Sequence, residues 1–296
     1  MDLAIETRNL VRHYGPVEAL RGLNLQVARN RVTGFLGRNG AGKSTTIRTL
    51  LGMTRPDSGT GTVLGHAIED PAGSLEIRRR VAYVGEDKEL YGYMTVEELI
   101  RFTASFYPDW RPDVARQLQR QYQLQSRRRV RDLSKGTRTK LALLLALSRR
   151  VELLILDEPT EGLDPVSIED LLRAIGSAAA EGTTVFFSSH QVADVERVAD
   201  DVCIVHYGKA VTRFALDEMR EHYRRVTLGF QTQVARTNFE IPGVLNVRSE
   251  GRQIVVRANE NADAVVEQGR DLEAVSVDVA PVSLLDVFLE AVGEER

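Results

Sequence analysis

Val32-Thr33-Gly34-Phe35-Leu36-Gly37-Arg38-Asn39-Gly40-Ala41-Gly42-Lys43-Ser44 is the stretch whose reading decides the fold. Its first five residues read as a buried strand, and the pattern from Lys43 to position 51 is helical. Between them Gly37 to Ser44 fits G-x-x-x-x-G-K-[ST], a phosphate loop. The glycines let successive backbone N–H groups curl around phosphate oxygens, and the following helix turns its positive N-terminal end toward them. Lys43 then supplies a point charge to the β- and γ-phosphates, and the Ser44 hydroxyl is a ligand for Mg²⁺.

Working outward, such a loop needs a second element to complete a magnesium site. The continuous apolar run 151–156 reads as a strand buried on both faces and ends in Asp157-Glu158. Open α/β sheets bind ligands at that edge. Asp157 is placed to hold Mg²⁺, and Glu158, one residue on, to accept a proton from an attacking water. A helix at 166–180, stopped by Gly182, is followed by strands at 183–187 and 202–206. Strands alternating with helices argue for a mostly parallel α/β sheet. Residues 3–32 alternate apolar and polar around a Gly15-Pro16 turn, which predicts short antiparallel strands. Residues 88–150 read as mostly helical, in segments 96–106, 112–123 and 136–149. Beyond 217 the character changes to a small α+β appendage without a chemical motif. Its expected strands are 225–231, 244–248, 253–258 and 274–279, with helices at 262–268 and 282–292. The domain expectation is therefore 1–216 and 217–296.

The bulk numbers bound the rest. A chain of 296 residues, 43% hydrophobic and 27% charged, suits one large globular domain plus a smaller one. A net charge of -3 gives no global field for nucleic acid or anionic lipid. The single cysteine, Cys203, excludes an intrachain disulfide framework and, in the run Val202–Val205, reads as a buried structural thiol. The opening residues Met1-Asp2-Leu3-Ala4-Ile5-Glu6 lack the basic and then apolar segments expected of a signal peptide. The longest apolar run, 141–147, is far short of the roughly 20 residues that span a bilayer. Any membrane-spanning part is expected on another polypeptide.

With those motifs in place, the chain resembles the ATP-binding subunits of ABC transporters over residues 3–211. Leu133-Ser134-Lys135-Gly136-Thr137 looks like that family's L-S-G-G-Q signature, Glu161-Gly162-Leu163-Asp164 like its D-loop, and His190, after Phe186-Phe187-Ser188-Ser189, like its switch histidine. Tyr14, beside His13, falls where the family stacks an aromatic ring on adenine. The resemblance implies a P-loop core with an antiparallel β-subdomain and a helical signature subdomain. It also implies a head-to-tail dimer holding two ATP and Mg²⁺. Each ATP would lie between one chain's Gly37, Arg38, Asn39, Gly40, Ala41, Gly42, Lys43, Ser44 and Thr45 and the other's Ser134, Gly136 and Asp164. His190 would hold the γ-phosphate and the attacking water in line.

Two positions depart from the family pattern. Lys135 and Thr137 replace a glycine and the glutamine of the signature. In Tyr83-Val84-Gly85-Glu86-Asp87, Glu86 stands where the family has a glutamine that relays the site's state to the membrane subunit. A carboxylate there repels the γ-phosphate, unless Glu86 is only a solvated loop residue. The segment 90–93 follows, where Tyr91 and Tyr93 are either contacts for a separate permease or packed within the helical region. The basic clusters 78–80 and 127–131 read as a solvated face, or as contacts for lipid headgroups or an acidic partner. No aromatic residue interleaves them, so nucleic acid is not expected.

The implied function is Mg-dependent ATP hydrolysis that drives export, on the inner, cytoplasmic face of a membrane. The rival is a soluble ABC ATPase acting on ribosomes or DNA. No second phosphate loop and no sustained heptads between Leu51 and Leu133 support it.

Overall fold

The computed structural model describes residues 2–87, 89–233 and 238–293. Met1, Lys88 and the last three residues, which the expected boundaries include, lie outside the described residues. The chain divides into two compact units, Met1–Arg213 and Phe214–Arg296.

The first unit opens with β1 (Leu3–Tyr14) and β2 (Val17–Ala28), then β3 (Val32–Leu36) and α1 (Lys43–Leu50). β4 (Ser58–Val63), β5 (His66–Ala67), α2 (Pro71–Arg80) and β6 (Val81–Val84) follow. The helical region holds α3 (Val96–Ala104), α4 (Pro112–Gln121) and α5 (Lys135–Leu147). β7 (Leu153–Leu156), α6 (Pro165–Ala180), β8 (Thr184–Ser189), α7 (Val192–Val198), β9 (Asp201–His206) and β10 (Lys209–Ala215) complete the core.

The central sheet runs β10-β9-β3-β8-β7-β6, with β9, β3, β8, β7 and β6 mutually parallel. β3, β7 and β8 are buried along their whole length, as strands covered on both faces must be. Phe35 and Phe186 meet across the β3–β8 pair with centroids 5.3 Å apart. Cys203 on β9 is buried, and burial pushes its thiol up to about 12, so it packs as a small hydrophobe.

A second, antiparallel sheet runs β2-β1-β4-β5. Its first two strands are 12 residues each, longer than the short strands expected. The register shifts four times between them, and Asn9 takes a positive φ of 49°, its N–H donating to the Asn24 side chain. Each irregularity breaks the two-residue alternation, which is why the sequence reads as shorter pieces. The helix α2 and strand β6 also went unassigned in the sequence. The start of α2 is nevertheless encoded there: Asp70 caps the N–H groups of Ala72 and Gly73, with Pro71 at the first turn. Its last turn is Arg78-Arg79-Arg80, cations at the negative end of the helix dipole. That placement gives the first basic cluster a structural role, and Arg79 and Arg80 are further paired with Glu76 and Glu152.

The second unit contains α8 (Leu216–His222), β11 (Arg224–Gly229), β12 (Val244–Glu250), β13 (Gln253–Ala258), α9 (Ala262–Asp271), β14 (Ser276–Pro281) and α10 (Leu284–Gly293). Its antiparallel sheet runs β12-β13-β11-β14, and Val226, Leu228, Ile254, Val256 and Val265 form its core.

Candidate functional site

The phosphate loop leaves the carboxyl end of β3 and enters α1. Gly42 caps that helix with φ 104°, and an added Cβ would sit 2.7 Å from the Ala19 carbonyl. Gly37 is equally confined, its would-be Cβ 2.6 Å from the Val205 carbonyl. No side chain fits at either position, so the backbone itself forms the loop's wall. Asn39, Gly40, Gly42, Lys43, Ser44 and Thr45 line a cavity of about 690 Å³. Ala41 is buried behind it, and its N–H donates to the Arg38 carbonyl.

Lys43 is 6% exposed, and its ammonium donates to the carbonyls of Gly37 and Arg38 at 2.7 and 3.1 Å. Its third neighbour is Glu158 Oε1 at 2.9 Å, an ion contact outside hydrogen-bond geometry. The other carboxyl oxygen of Glu158 lies 2.8 Å from His190 Nδ1. Parallel pairing of β7 with β8 brings these together, since Glu158 follows one strand and His190 the other. Glu158 has φ 44°, a left-handed conformation unusual for a side chain of its size. Its N–H donates to Ser188 Oγ at 2.9 Å, which helps fix that backbone.

Asp157 is buried, and accepts from Ser188 Oγ at 2.7 Å and Ser44 Oγ at 3.2 Å. Burial raises its carboxyl above the ordinary value, against which the two hydroxyls pull it down. A buried carboxylate beside a hydroxyl, both hard oxygen donors, is the set a Mg²⁺ ion takes when phosphates and waters supply its other ligands. The pair fits the ion expected from the sequence. No group of three or more His, Cys, Asp or Glu able to hold a metal occurs among the described residues.

Glu86, just after β6, lines the same cavity and forms a carboxyl pair with Glu161. Burial first, then the hydrogen bond and charge of Glu161, raise the Glu86 carboxyl. Glu86 is an exposed loop residue, as the solvated alternative expects, and it is at the same time paired with Glu161 and part of the cavity wall. Glu86 also borders a neighbouring groove of about 400 Å³ that includes Met53, Tyr83 and Leu90.

Several expected residues stand apart from this cavity. Ser134 caps α5 and accepts from Thr137 N–H at 3.2 Å. Asp164 caps α6 through Ser167, whose N–H and hydroxyl lie 3.0 and 2.8 Å from its carboxylate. Gly136 packs between them, its would-be Cβ 2.6 Å from Ser167 Oγ. The Lys135 side chain lies over Gly162 of the D-loop stretch. These residues form a cluster of their own, and none lines the phosphate cavity. Tyr14 is also absent from its walls. It is 43% exposed, with the Arg12 guanidinium 4.9 Å from its ring centre, while its strand partner Val17 does line the cavity.

The aromatic ring in the cavity wall is Tyr207, with Arg21 beside it at 5.8 Å. Sequence reading passed over Tyr207, and also Glu161 and Ser188 as functional groups. Ser188 was legible in principle, as a polar residue ending a buried strand next to Asp157-Glu158. Tyr207 was not, because only the β9–β10 turn carries it to the loop, where Gly208 N–H donates to the Ala41 carbonyl.

A parallel sheet carrying a glycine-confined phosphate loop, a buried lysine and a strand-end Asp-Glu pair defines a P-loop nucleoside-triphosphate hydrolase. Residues 20–161 match the family model described as ABC transporter. The chain is 32% identical to the bacitracin transport ATP-binding protein BcrA of Bacillus licheniformis, covering 99% of this chain and 98% of that one. It is 30% identical to the daunorubicin resistance ATP-binding protein DrrA3 of Streptomyces coeruleorubidus, over 100% and 98%. A solved ATP-binding subunit of an ABC transporter shares 31% identity and a TM-score of 0.66, over 73% of this chain and 92% of that one. A bacterial ABC transporter cassette solved as a dimer has the same fold, with a TM-score of 0.65 at 20% identity, over 72% and 98%. The chain belongs to the ATP-binding proteins of ABC transporters, a family of ATPases.

Proposed function

We propose that this chain is the ATP-hydrolysing subunit of a membrane exporter, acting as one of a pair that closes around two ATP molecules. The observation that carries this reading is the separation of two half-sites on one chain. The phosphate cavity holds Lys43, Ser44, Glu158 and Glu86, whereas Ser134, Gly136 and Asp164 form a second cluster outside it. The capped start of α5 offers backbone N–H groups and a positive dipole end suited to a γ-phosphate. Ser134, Gly136 and Asp164 do not line the phosphate cavity of their own chain, and in this reading a second copy placed head to tail supplies the missing half. Tyr14, on the hairpin beside Val17, is proposed to stack on adenine, with Tyr207 forming the wall nearby.

In this mechanism the γ-phosphate entering the cavity replaces Glu158 as the counter-ion of Lys43. Glu158 is thereby released to act as base. Ser44 and Asp157 would hold Mg²⁺, which when bound would neutralise phosphate charge. A water attacks the γ-phosphorus in line, a P–O bond forms to it, and the bond to the β-phosphate oxygen breaks. Glu158 takes the water's proton, and ADP departs with the broken bond's electron pair. His190, held at 2.8 Å from Glu158, orients that carboxylate, and its proposed role is to hold the γ-phosphate and the attacking water in line. Closure by ATP and reopening after hydrolysis convert the reaction into a cycle that a permease can follow.

The permease is proposed to dock a cytosolic helix in the groove beside Glu86, Met53 and Leu90, which connects the cavity's state to the membrane. The named transport and drug-resistance roles of the full-length relatives support export. We infer that the chain works on the inner face of a membrane; no helix among the described residues is long and apolar enough to cross one. The test is purification of a tagged Glu158→Gln variant from its native cell in mild detergent with Mg-ATP. A polytopic membrane protein in near-stoichiometric amount is the expected companion. Ribosomal proteins or nucleic acid, with the chain in the soluble fraction, would overturn the reading in favour of the soluble rival.

A further inference from the structure

A second cavity, of about 180 Å³, lies between α4, the end of α5 and α6, and shares no lining residue with the phosphate cavity. Val114 and Leu118 of α4, Leu147 of α5, and Ala174 and Ala178 of α6 give it apolar walls. Gln117, Gln121 and Ser177 form its exposed edge. The space takes several water molecules or one organic molecule of about ten non-hydrogen atoms.

Three residues of the lining carry unpartnered donors. Tyr122 is 5% exposed, and its hydroxyl has no hydrogen-bond partner among the described residues. Burial, then the charge of Asp170, push that phenol up to about 12, so it stays a neutral donor at ordinary pH. The Nε–H groups of Arg111 and Arg149 are buried and equally without a partner. Buried polar groups are nearly always hydrogen-bonded, so three orphan donors on residues walling one cavity point to an acceptor inside it.

The charges agree. Arg149 is buried, its Nη atoms donate only to the backbone carbonyls of Arg78, Arg79 and Val81, and the Tyr107 ring covers it at 3.7 Å. Burial pulls its pKa down, against which the charges of Tyr107 and Asp109 act from beyond ion-pair distance. Arg111 donates through Nη2 to the carbonyls of Leu147 and Arg149 at 2.6 and 3.3 Å, while its Nη1 is 3.9 Å from Glu181. Glu181 is the one carboxylate among the described residues of the lining, and its side chain is 69% exposed. Outside the lining, Asp170 is paired with Lys140 at 2.8 Å, and Asp113, in the first turn of α4, is exposed. Two guanidiniums, one of them buried without a counter-ion, against a single solvated carboxylate leave the cavity positive.

We propose that this cavity binds a small monocarboxylate with an apolar frame, its carboxylate taken by Arg111 and the Tyr122 hydroxyl and its carbon frame by the walls of α4 and α6. A guanidinium grips a carboxylate through parallel hydrogen bonds, and the present contact of Arg111 with Glu181 is long and solvent-exposed, so it yields to a closer partner. Water would satisfy the hydroxyl but leave the buried guanidinium without a counter-ion. An aromatic acid and a short fatty acid share the required chemistry. The site stands apart from the nucleotide cavity and does not depend on the transport reading.

The test is a ligand-observed NMR titration of the purified full chain with 4-hydroxybenzoate, with octanoate, and with 4-hydroxybenzamide, the uncharged analogue of the first. At least one carboxylate should bind with a Kd on the order of a millimolar or tighter, the affinity open to a ligand of this size. Which of the two binds identifies the source as aromatic or aliphatic. The amide should bind about tenfold more weakly or worse, because it loses the charge-assisted bonds. Mg-ADP should not displace the carboxylate, which separates this site from anion binding at the phosphate loop. Tyr122→Phe should weaken binding by about tenfold without lowering Tm, since the hydroxyl removed has no partner in the free protein. Arg111→Met should abolish binding. Arg111 also holds the end of α5, so Ala178→Leu, which fills the cavity, is the second variant: it should block binding with ATP turnover retained. No binding of either carboxylate, equal binding of the amide, displacement by Mg-ADP, or binding unchanged in Tyr122→Phe and Ala178→Leu would overturn the proposal.

Discussion

Glu158 illustrates how much chemistry one residue can hold in readiness. Its carboxylate is divided between Lys43 and His190, and its backbone is kept in a left-handed conformation against a strand end. Glu158→Gln should retain ATP binding and lose at least about 100-fold in turnover, the usual weight of a general base. Phosphate release from purified protein measures this, and near-parental turnover would remove the assignment. Glu86 calls for a different measurement. Burial and the Glu161 hydrogen bond raise its carboxyl, so the protonated form, which does not repel a γ-phosphate, persists above the ordinary value of 4.5. Turnover should therefore fall as pH rises through that raised value. Glu86→Gln should flatten this limb in a pH–rate profile, whereas an unchanged profile would assign the limb to another group.

At the scale of elements, the starts of α5 and α6 are built against each other. Replacing a helical glycine with alanine ordinarily stabilises by about 1 kcal/mol. At Gly136 the new Cβ would sit 2.6 Å from Ser167 Oγ and displace the side chain that bonds Asp164. Gly136→Ala should thus destabilise by about 1 kcal/mol, the worth of a lost cap, read as a lower urea midpoint. Elsewhere, Glu152 before β7 meets Arg80 at the end of α2 through contacts of 2.6 and 2.7 Å. The Arg80 hydrogen bond holds the Glu152 carboxyl below 4.5. The stability this contributes is fully present above 4.5 and is lost as pH falls through the depressed value. The pair is partly exposed, so the effect should stay under about 1 kcal/mol. Denaturation of Glu152→Gln should show a deficit near neutral pH that closes in acid. A deficit that persists in acid would point to lost packing instead.

For the whole molecule, the proposed sharing of two half-sites calls for a second copy. With Mg-ATP, Glu158→Gln should double its mass in size-exclusion chromatography with light scattering, and revert to the monomer with ADP. A monomer under both conditions would sink the paired-site model. The same separation explains what was readable beforehand. The phosphate loop and the Asp157-Glu158 pair are local strings whose chemistry follows from spacing, so they could be read without the fold. The carboxyl pair of Glu86 and Glu161 joins residues 75 positions apart, and only the pairing of β6 with β7 brings their loops together.

The sequence by itself determined the strand–loop–helix that grips phosphate, the alternation that makes the sheet parallel, and the change of character toward the second unit. Each depends on periodicity or on residues within a turn of one another. The tertiary structure decided the length of β1 and β2, because bulges hide strand continuity from a two-residue pattern. It also decided that Tyr207 walls the cavity, that Ser188 bridges Asp157 and the Glu158 backbone, and that Arg111, Tyr122 and Arg149 meet at a second cavity. Those are contacts between distant residues, set by strand order and turn geometry, to which no local pattern in the chain corresponds.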